Sequence, residues 1–278
     1  MKHLLSLLSV AFLFGCASSP TAPPAPAPVT SFDTIAAAVA GPQRSEANRA
    51  RDVYRHPVET LEFFGLKNDM KVVEISPGQG WYSEILAPFL KEKGSLVFAA
   101  GNPESKNDYR KKGAVKFREL VASKPELYGK ATVVVFEPPA LVNVGEPNSA
   151  DMVVTFRNAH NWMQEPKGLT NALKGFYTVL KPGGVLGIEE HRAKPGKQDM
   201  KAESGYVTEA YLIKAAEQAG FKLAGKSEIN ANPKDTRNHP EGVWTLPPTL
   251  KLGEKDKDKY VAIGESDRMT LKFVKPAK

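Results

Sequence analysis

The chain has 278 residues, of which 41% are hydrophobic and 25% charged. That balance excludes a disordered chain and a multi-span membrane protein, and the length allows one large domain or two small ones around a real core. Net charge is +7, which permits acidic partners without naming one, and a single cysteine, Cys16, rules out an intrachain disulfide or a cysteine-built metal site.

Met1-Lys2-His3 is a short basic start, and Leu4 to Phe14 is an apolar run too short to cross a membrane. The run closes in Leu13-Phe14-Gly15-Cys16, which resembles the lipobox of bacterial lipoproteins. The resemblance implies that residues 1–15 are a signal peptide and that Cys16 is lipidated. With Ala17 next rather than Asp, it also implies an exported protein facing the periplasm from the outer membrane. Ala17 to Ser31 carries prolines at 20, 23, 24, 26 and 28 and reads as a stiff, extended tether. Residues 16–32 are therefore expected to be tether and 33–278 one folded domain.

Within that domain, Asp33 to Val39, the charged stretch Arg44 to Arg55, and Val58 to Phe64 behind Pro57 are expected helices, the last stopped by Gly65. Met70 to Ile75 is an apolar strand. A glycine turn leads to a helix over Trp81 to Lys93, which Pro88 should kink or break. Further strands are expected at Leu96 to Ala99, Ala131 to Phe136, Met152 to Phe156, Val185 to Glu189, Phe221 to Ile229 and Arg268 to Val274. Further helices are expected at Leu169 to Leu180 and Thr208 to Ala219. Strands alternating with helices predict a doubly wound, mostly parallel Rossmann-like sheet with helices on both faces. Asn230 to Trp244 is polar and precedes the last strand, as a pocket lid or a plain surface loop would. Lys251 to Lys259 mixes lysines with acids and has no interleaved aromatics, so a solvated loop is expected and no nucleic-acid contact.

Val72-Val73-Glu74-Ile75-Ser76-Pro77-Gly78-Gln79-Gly80-Trp81-Tyr82 runs from strand to helix, and Gly78 and Gly80 let a ligand lie against the backbone. There is no Gly-Lys-Ser/Thr, so the phosphate-cradling P-loop is excluded, and Ser83 stands where a nicotinamide fingerprint needs glycine. Glu74-x-x-x-Gly78-x-Gly80 resembles the first motif of class I S-adenosylmethionine-dependent methyltransferases. Ala150-Asp151-Met152-Val153-Val154 resembles that fold's fourth strand, and Leu180-Lys181-Pro182-Gly183-Gly184-Val185-Leu186 the turn and strand after the next helix. Thr155 to Trp162, Asn230 to Asp235 and Gly264 to Met269 are similar to stretches in a group of predicted exported methyltransferases.

The resemblance implies S-adenosylmethionine as cofactor and a small or planar acceptor in the cell envelope. It implies Glu74, Ser76, Gly78, Gly80, Asn102 and Glu137 as cofactor-binding residues. Ser76 takes the place of the family's first glycine. Asn102 follows the second strand where an acid usually holds the ribose, and Glu137 stands for the acid facing the adenine amine. Arg157-Asn158-Ala159-His160-Asn161-Trp162 follows the fourth strand, at the edge where ligands bind in such folds. There His160 is the candidate base, Asn158 and Asn161 candidate orienting groups, and Trp162 a platform for a planar substrate or a core residue. His191 and Arg237 are further substrate or lid candidates. His160, His191 and a glutamate make a known metal-ligand set, but a hydrogen-bonded pair at the pocket rim is the simpler reading, with no metal. The alternative to an enzyme is a ligand-binding lipoprotein on a degenerate methyltransferase fold.

Overall fold

Val72, Val73 and Ile75 bury Lys71–Ile75 (β1) on both faces, and this strand becomes an interior strand of a seven-stranded sheet. The structure, a computed structural model, describes residues 31–277. The signal peptide, Cys16 and nearly all of the tether lie outside these residues. The other strands are Ser95–Ala100 (β2), Thr132–Val135 (β3), Ala150–Phe156 (β4), Leu180–His191 (β5), Lys222–Ser227 (β6) and Arg268–Val274 (β7). Their order is β3-β2-β1-β4-β5-β7-β6. β1 pairs in parallel with β2 and β4, β2 with β3, and β4 with β5, whereas β7 runs antiparallel between β5 and β6. The order in which the chain adds strands reverses between β1 and β4, the crevice where ligands bind in open α/β folds.

The helices are Ile35–Ala40 (α1), Glu46–Arg49 (α2), Asp52–Arg55 (α3), Pro57–Phe64 (α4), Ser83–Leu90 (α5), Asp108–Ser123 (α6), Pro125–Tyr128 (α7), Ala159–Trp162 (α8), Gly168–Val179 (α9), Glu209–Gln218 (α10) and Lys257–Ile263 (α11). One core layer joins α1 and α4 to α7 with the strand residues Val72, Phe98, Met152 and Val154. The other joins α8 to α10 with Val73, Val153, Leu186 and Ile188. α9 shows why it sits there: Leu169, Ala172, Leu173, Phe176 and Val179 form one buried stripe at helical spacing. No helix among the described residues is long and apolar enough to cross a membrane.

Four expectations need correction. The stretch Arg44 to Arg55 splits into α2 and α3, and two of its charges, Arg44 and Arg55, are buried, each over the Trp81 ring, at 4.8 and 4.7 Å. α6 has no counterpart in the sequence reading, because only Ala114 and Phe117 of its sixteen residues are buried and the apolar period is too thin to see. Lys181-Pro182-Gly183-Gly184 is not a free turn before β5. It is a bulge within the strand, where Ala150 pairs with Leu180 but Met152 with Val185. Lys257 to Lys259, expected as loop, begin α11. Pro88, by contrast, lies inside α5. It has no N–H for the Glu84 carbonyl, and Gln43 Nε2 donates there instead at 3.1 Å.

α4 meets the sheet through Phe64, fully buried against Gly187 of β5. A Cβ at Gly187 would lie 2.6 Å from the Phe64 ring. Gly187→Ala is expected to cost about 1–3 kcal/mol through this overpacking. Urea unfolding checks it, and an unchanged midpoint would show that α4 yields freely.

Candidate functional site

The glycine turn leaves β1 with three positive φ angles, 50° at Ser76, 62° at Gly78 and 81° at Gly80. Ser76 thus takes the backbone form that glycine usually supplies. A Cβ at Gly78 would meet nothing within 4 Å, so the turn is open there, whereas one at Gly80 would lie 2.9 Å from Leu120 of α6. Asn158 closes the turn from β4. Its amide nitrogen lies 3.3 Å from the carbonyls of Ile75 and Ser76 and 3.1 Å from Thr155 Oγ1. The amide nitrogen thus clips two strand ends together, and the amide oxygen has no hydrogen bond among the described residues.

Three expected cofactor residues point their side chains at protein. Glu74 is buried and accepts from Ser83 Oγ at 2.7 Å. Burial pushes its pKa up to about 8, so the neutral acid is the form at pH 7. Asn102 Nδ2 donates to Glu137 at 2.8 Å, and Ser105 Oγ donates to the other oxygen of the same carboxylate. The ends of β2 and β3 are therefore brought together, as the resemblance implies, but by holding each other.

The second centre lies at the ends of β4 and β5. Glu190 is fully buried. Its carboxylate accepts from the backbone N–H of His160 at 3.2 Å and of His191 at 2.9 Å, and His160 Nδ1 lies 2.9 Å away. An acceptor held by two backbone donors makes Nδ1 the nitrogen that keeps its proton, so in the neutral ring the lone pair is on Nε2. His191 Nδ1 meets Ser266 Oγ at 2.5 Å. Burial above all, then His160 and three arginines, hold the His191 pKa well below its ordinary value, so it is neutral. Ligating atoms of His160, Glu190 and His191 lie within 4.8 Å of one another. The Glu190 carboxylate is at the same time within hydrogen-bond reach of three N–H groups, two of the backbone and one of the His160 ring.

Trp162 does not face this centre. It packs edge-on to Phe136 and Phe176, at 5.6 and 5.5 Å, and belongs to the core, which corrects the substrate-platform reading. Asn161 is exposed, with no side-chain hydrogen bond among the described residues. The aromatic residue over His160 is Trp244, at 6.0 Å between ring centroids.

Trp244 is carried by the segment between β6 and β7, and Asp235 organises that segment. Its buried carboxylate accepts from Tyr206 Oη at 2.8 Å, Arg237 N at 2.8 Å and Asp267 N at 2.7 Å, with His239 Nε2 at 2.8 Å. Asp267 in turn pairs with Arg192 at 2.9 Å and Arg237 at 3.2 Å. Arg237 is thus a strut of this cover. Sequence reasoning placed a glutamate beside His160 and His191 and a lid or loop over Asn230 to Trp244, but not which glutamate pairs with His160, nor Asp235 and Trp244 as the residues that order and carry the cover, since no local motif specifies those contacts.

By sequence the chain matches no protein-family model and no curated protein. By structure it is similar to a SAM-dependent methyltransferase from Aquifex aeolicus, with TM-score 0.51 and 22% identity over 65% of this chain and 87% of that one. It is also similar to the [4+2]-cyclase SpnF, with TM-score 0.53 and 14% identity over 84% of this chain and 82% of that one. Together with the strand order, these likenesses establish the class I S-adenosylmethionine-dependent methyltransferase fold. At such identities the likeness is one of fold, and a methyltransferase and a cyclase share it.

Two outcomes test this geometry. For Glu74 the folded pKa of about 8 exceeds the unfolded 4.5. Its stabilising contribution is therefore complete below the lower value and lost as pH rises through the higher. Glu74→Gln should gain on the wild type by up to about 5 kcal/mol between acid and alkaline pH. A difference independent of pH in denaturant titrations would show Glu74 to be ordinarily acidic. Asp235→Ala leaves its donors unmet and should cost about 3 kcal/mol. Amide exchange should rise first in residues 230–244, and uniform loosening would contradict the anchoring role.

Proposed function

We propose that the chain is an S-adenosylmethionine-dependent methyltransferase acting on a small acceptor, with His160 as the base. The observation that carries this reading is the His160–Glu190 pair at the carboxyl edge of the sheet, beside an open glycine turn. The residues present fit the cofactor: Gly78 leaves space where a side chain would stand, and Asn102 and Glu137 place polar groups at the ends of β2 and β3. Bound there, the cofactor supplies a methyl group on a sulfonium. The chain supplies the rest. Glu190 fixes the His160 tautomer, and Nε2, which has no hydrogen bond among the described residues, takes the proton of the acceptor's nucleophilic group. Trp244 and the cover around Asp235 keep water from that proton transfer. The location proposed with it is the cell envelope, on a lipid at Cys16, because residues 4–16 carry the lipobox pattern.

A second reading, ligand binding without turnover, is favoured by one observation: Glu74, Asn102 and Glu137 all spend their side chains on protein partners. The measurement is titration calorimetry of S-adenosylhomocysteine into residues 33–278. Binding in about the micromolar range is expected for the wild type and for His160→Gln, and its loss for Gly78→Leu with the fold intact. No binding to the folded wild type would sink the methyl-transfer reading and leave the second. Full affinity in Gly78→Leu would remove the turn from the site.

A further inference from the structure

Beneath α3, at the same sheet edge, lies a charge cluster whose signs do not balance. Glu189 is fully buried and accepts from Arg268 Nη1 at 2.8 Å and from Arg157 Nη1 at 3.2 Å. Glu265 accepts from Arg51 Nε at 2.7 Å and Arg55 Nε at 3.2 Å, and lies 3.4 Å from Arg268 Nη1. Four guanidiniums therefore share two carboxylates, and three of the four are largely buried. The nearby acids do not make up the difference. Glu190 is engaged by His160 and His191, and Asp267 by Arg192 and Arg237. Burial pushes the Tyr82 hydroxyl far up, so it is neutral. Burial above all, then the Arg157 charge, push Arg55 well below its ordinary value, whereas Arg157, although burial opposes it, is held above its own by Glu189 and Glu265. Leaving positive charge uncompensated in a dry site is costly.

The cluster also has open donors. Arg157 uses only Nη1 and Arg55 only Nε for hydrogen bonds among the described residues. The remaining guanidinium nitrogens of both are not sealed from solvent, although the Arg55 side chain is only 4% exposed. Arg55 further lies over the Trp81 ring at 4.7 Å, and Arg157 leaves β4 at φ 60°, three residues before His160. Ser266 joins the two clusters: its Oγ meets His191 Nδ1 at 2.5 Å and its carbonyl accepts from Arg268 Nε at 3.2 Å, so the arginines and the histidine pair adjoin at the sheet edge.

We propose that Arg157 and Arg55 form an anion subsite for the acceptor, which is therefore a small molecule bearing a carboxylate. Planar guanidinium forks with free edges match a carboxylate in two hydrogen bonds each, more closely than a lysine would. One end of the acceptor is held there while its nucleophilic group lies at His160. This rests on the methyl-transfer reading. The competing source of the same chemistry is the methionine carboxylate of the cofactor itself.

The test uses two pairs of probes on residues 33–278. Acetate against neutral acetamide, titrated into protein with and without S-adenosylhomocysteine, reads the subsite directly. Acetate should bind at least about tenfold tighter, and Arg157→Gln should abolish the difference. S-adenosylhomocysteine against 5′-methylthioadenosine, which lacks the carboxylate, reads the alternative. Arg157→Gln should leave both affinities within about twofold. Equal affinity for acetate and acetamide in the wild type overturns the proposal without any variant. Selective loss of S-adenosylhomocysteine in Arg157→Gln, with methylthioadenosine retained, overturns it in favour of the cofactor's carboxylate. If S-adenosylhomocysteine fails to bind but acetate is preferred to acetamide, the anion subsite stands and the methyl-transfer reading falls.

Discussion

Consecutive residues of a strand point to opposite faces of a sheet, and β5 ends in two consecutive glutamates, both fully buried. Neither carboxylate can remain unpartnered there. Glu189 gathers Arg157 and Arg268, while Glu190 gathers the backbone and ring of His160 and the backbone of His191. From this one constraint follow both halves of the site: a cationic half under the cap helices and an imidazole half under Trp244. Burial opposes ionisation of Glu189, but its arginines prevail and hold its pKa below the ordinary value.

The antiparallel β7 serves the same purpose. Running against β5, it sets Arg268 opposite His191 and Met269 opposite Glu190, so the start of β7 faces the end of β5. Glu265, Ser266, Asp267 and Arg268 thereby arrive at the edge where β4 and β5 finish. Each finds a partner from a distant part of the chain: Arg55, His191, Arg192 and Glu189 in turn. A parallel last strand would have delivered these residues to the opposite edge.

The two ends of the crevice are built differently. At the glycine turn, polar side chains close on each other: Ser83 on Glu74, Asn102 and Ser105 on Glu137. At the histidine end, a lone pair is left open on His160 and donors on Arg55 and Arg157. Donors and lone pairs left open in a partly dry site are what recognition and proton transfer require.

The architecture was largely legible in the sequence. β1, β4 and β7 are dense in β-branched or aliphatic residues, and Pro57, Gly65 and the α9 stripe mark their own helices. α6 was not legible, because its contacts with the sheet rest on so few residues. Of the site, His160, the glycine turn and their shared edge could be read from motif order alone. The glycine turn needs only local backbone freedom, and helix and strand periods repeat within a few residues. Which polar groups pair could not be read so. Trp162 or Trp244 over the site, Asn158 as clip, and Glu190 as partner of His160 are settled by strand register and by a segment that returns from beyond β6. Local pattern determined the fold and the position of the crevice. The partners of its buried charges were decided only when residues as far apart as Arg55 and Glu265 met, because desolvation makes each charge accept whichever counter-group the fold delivers.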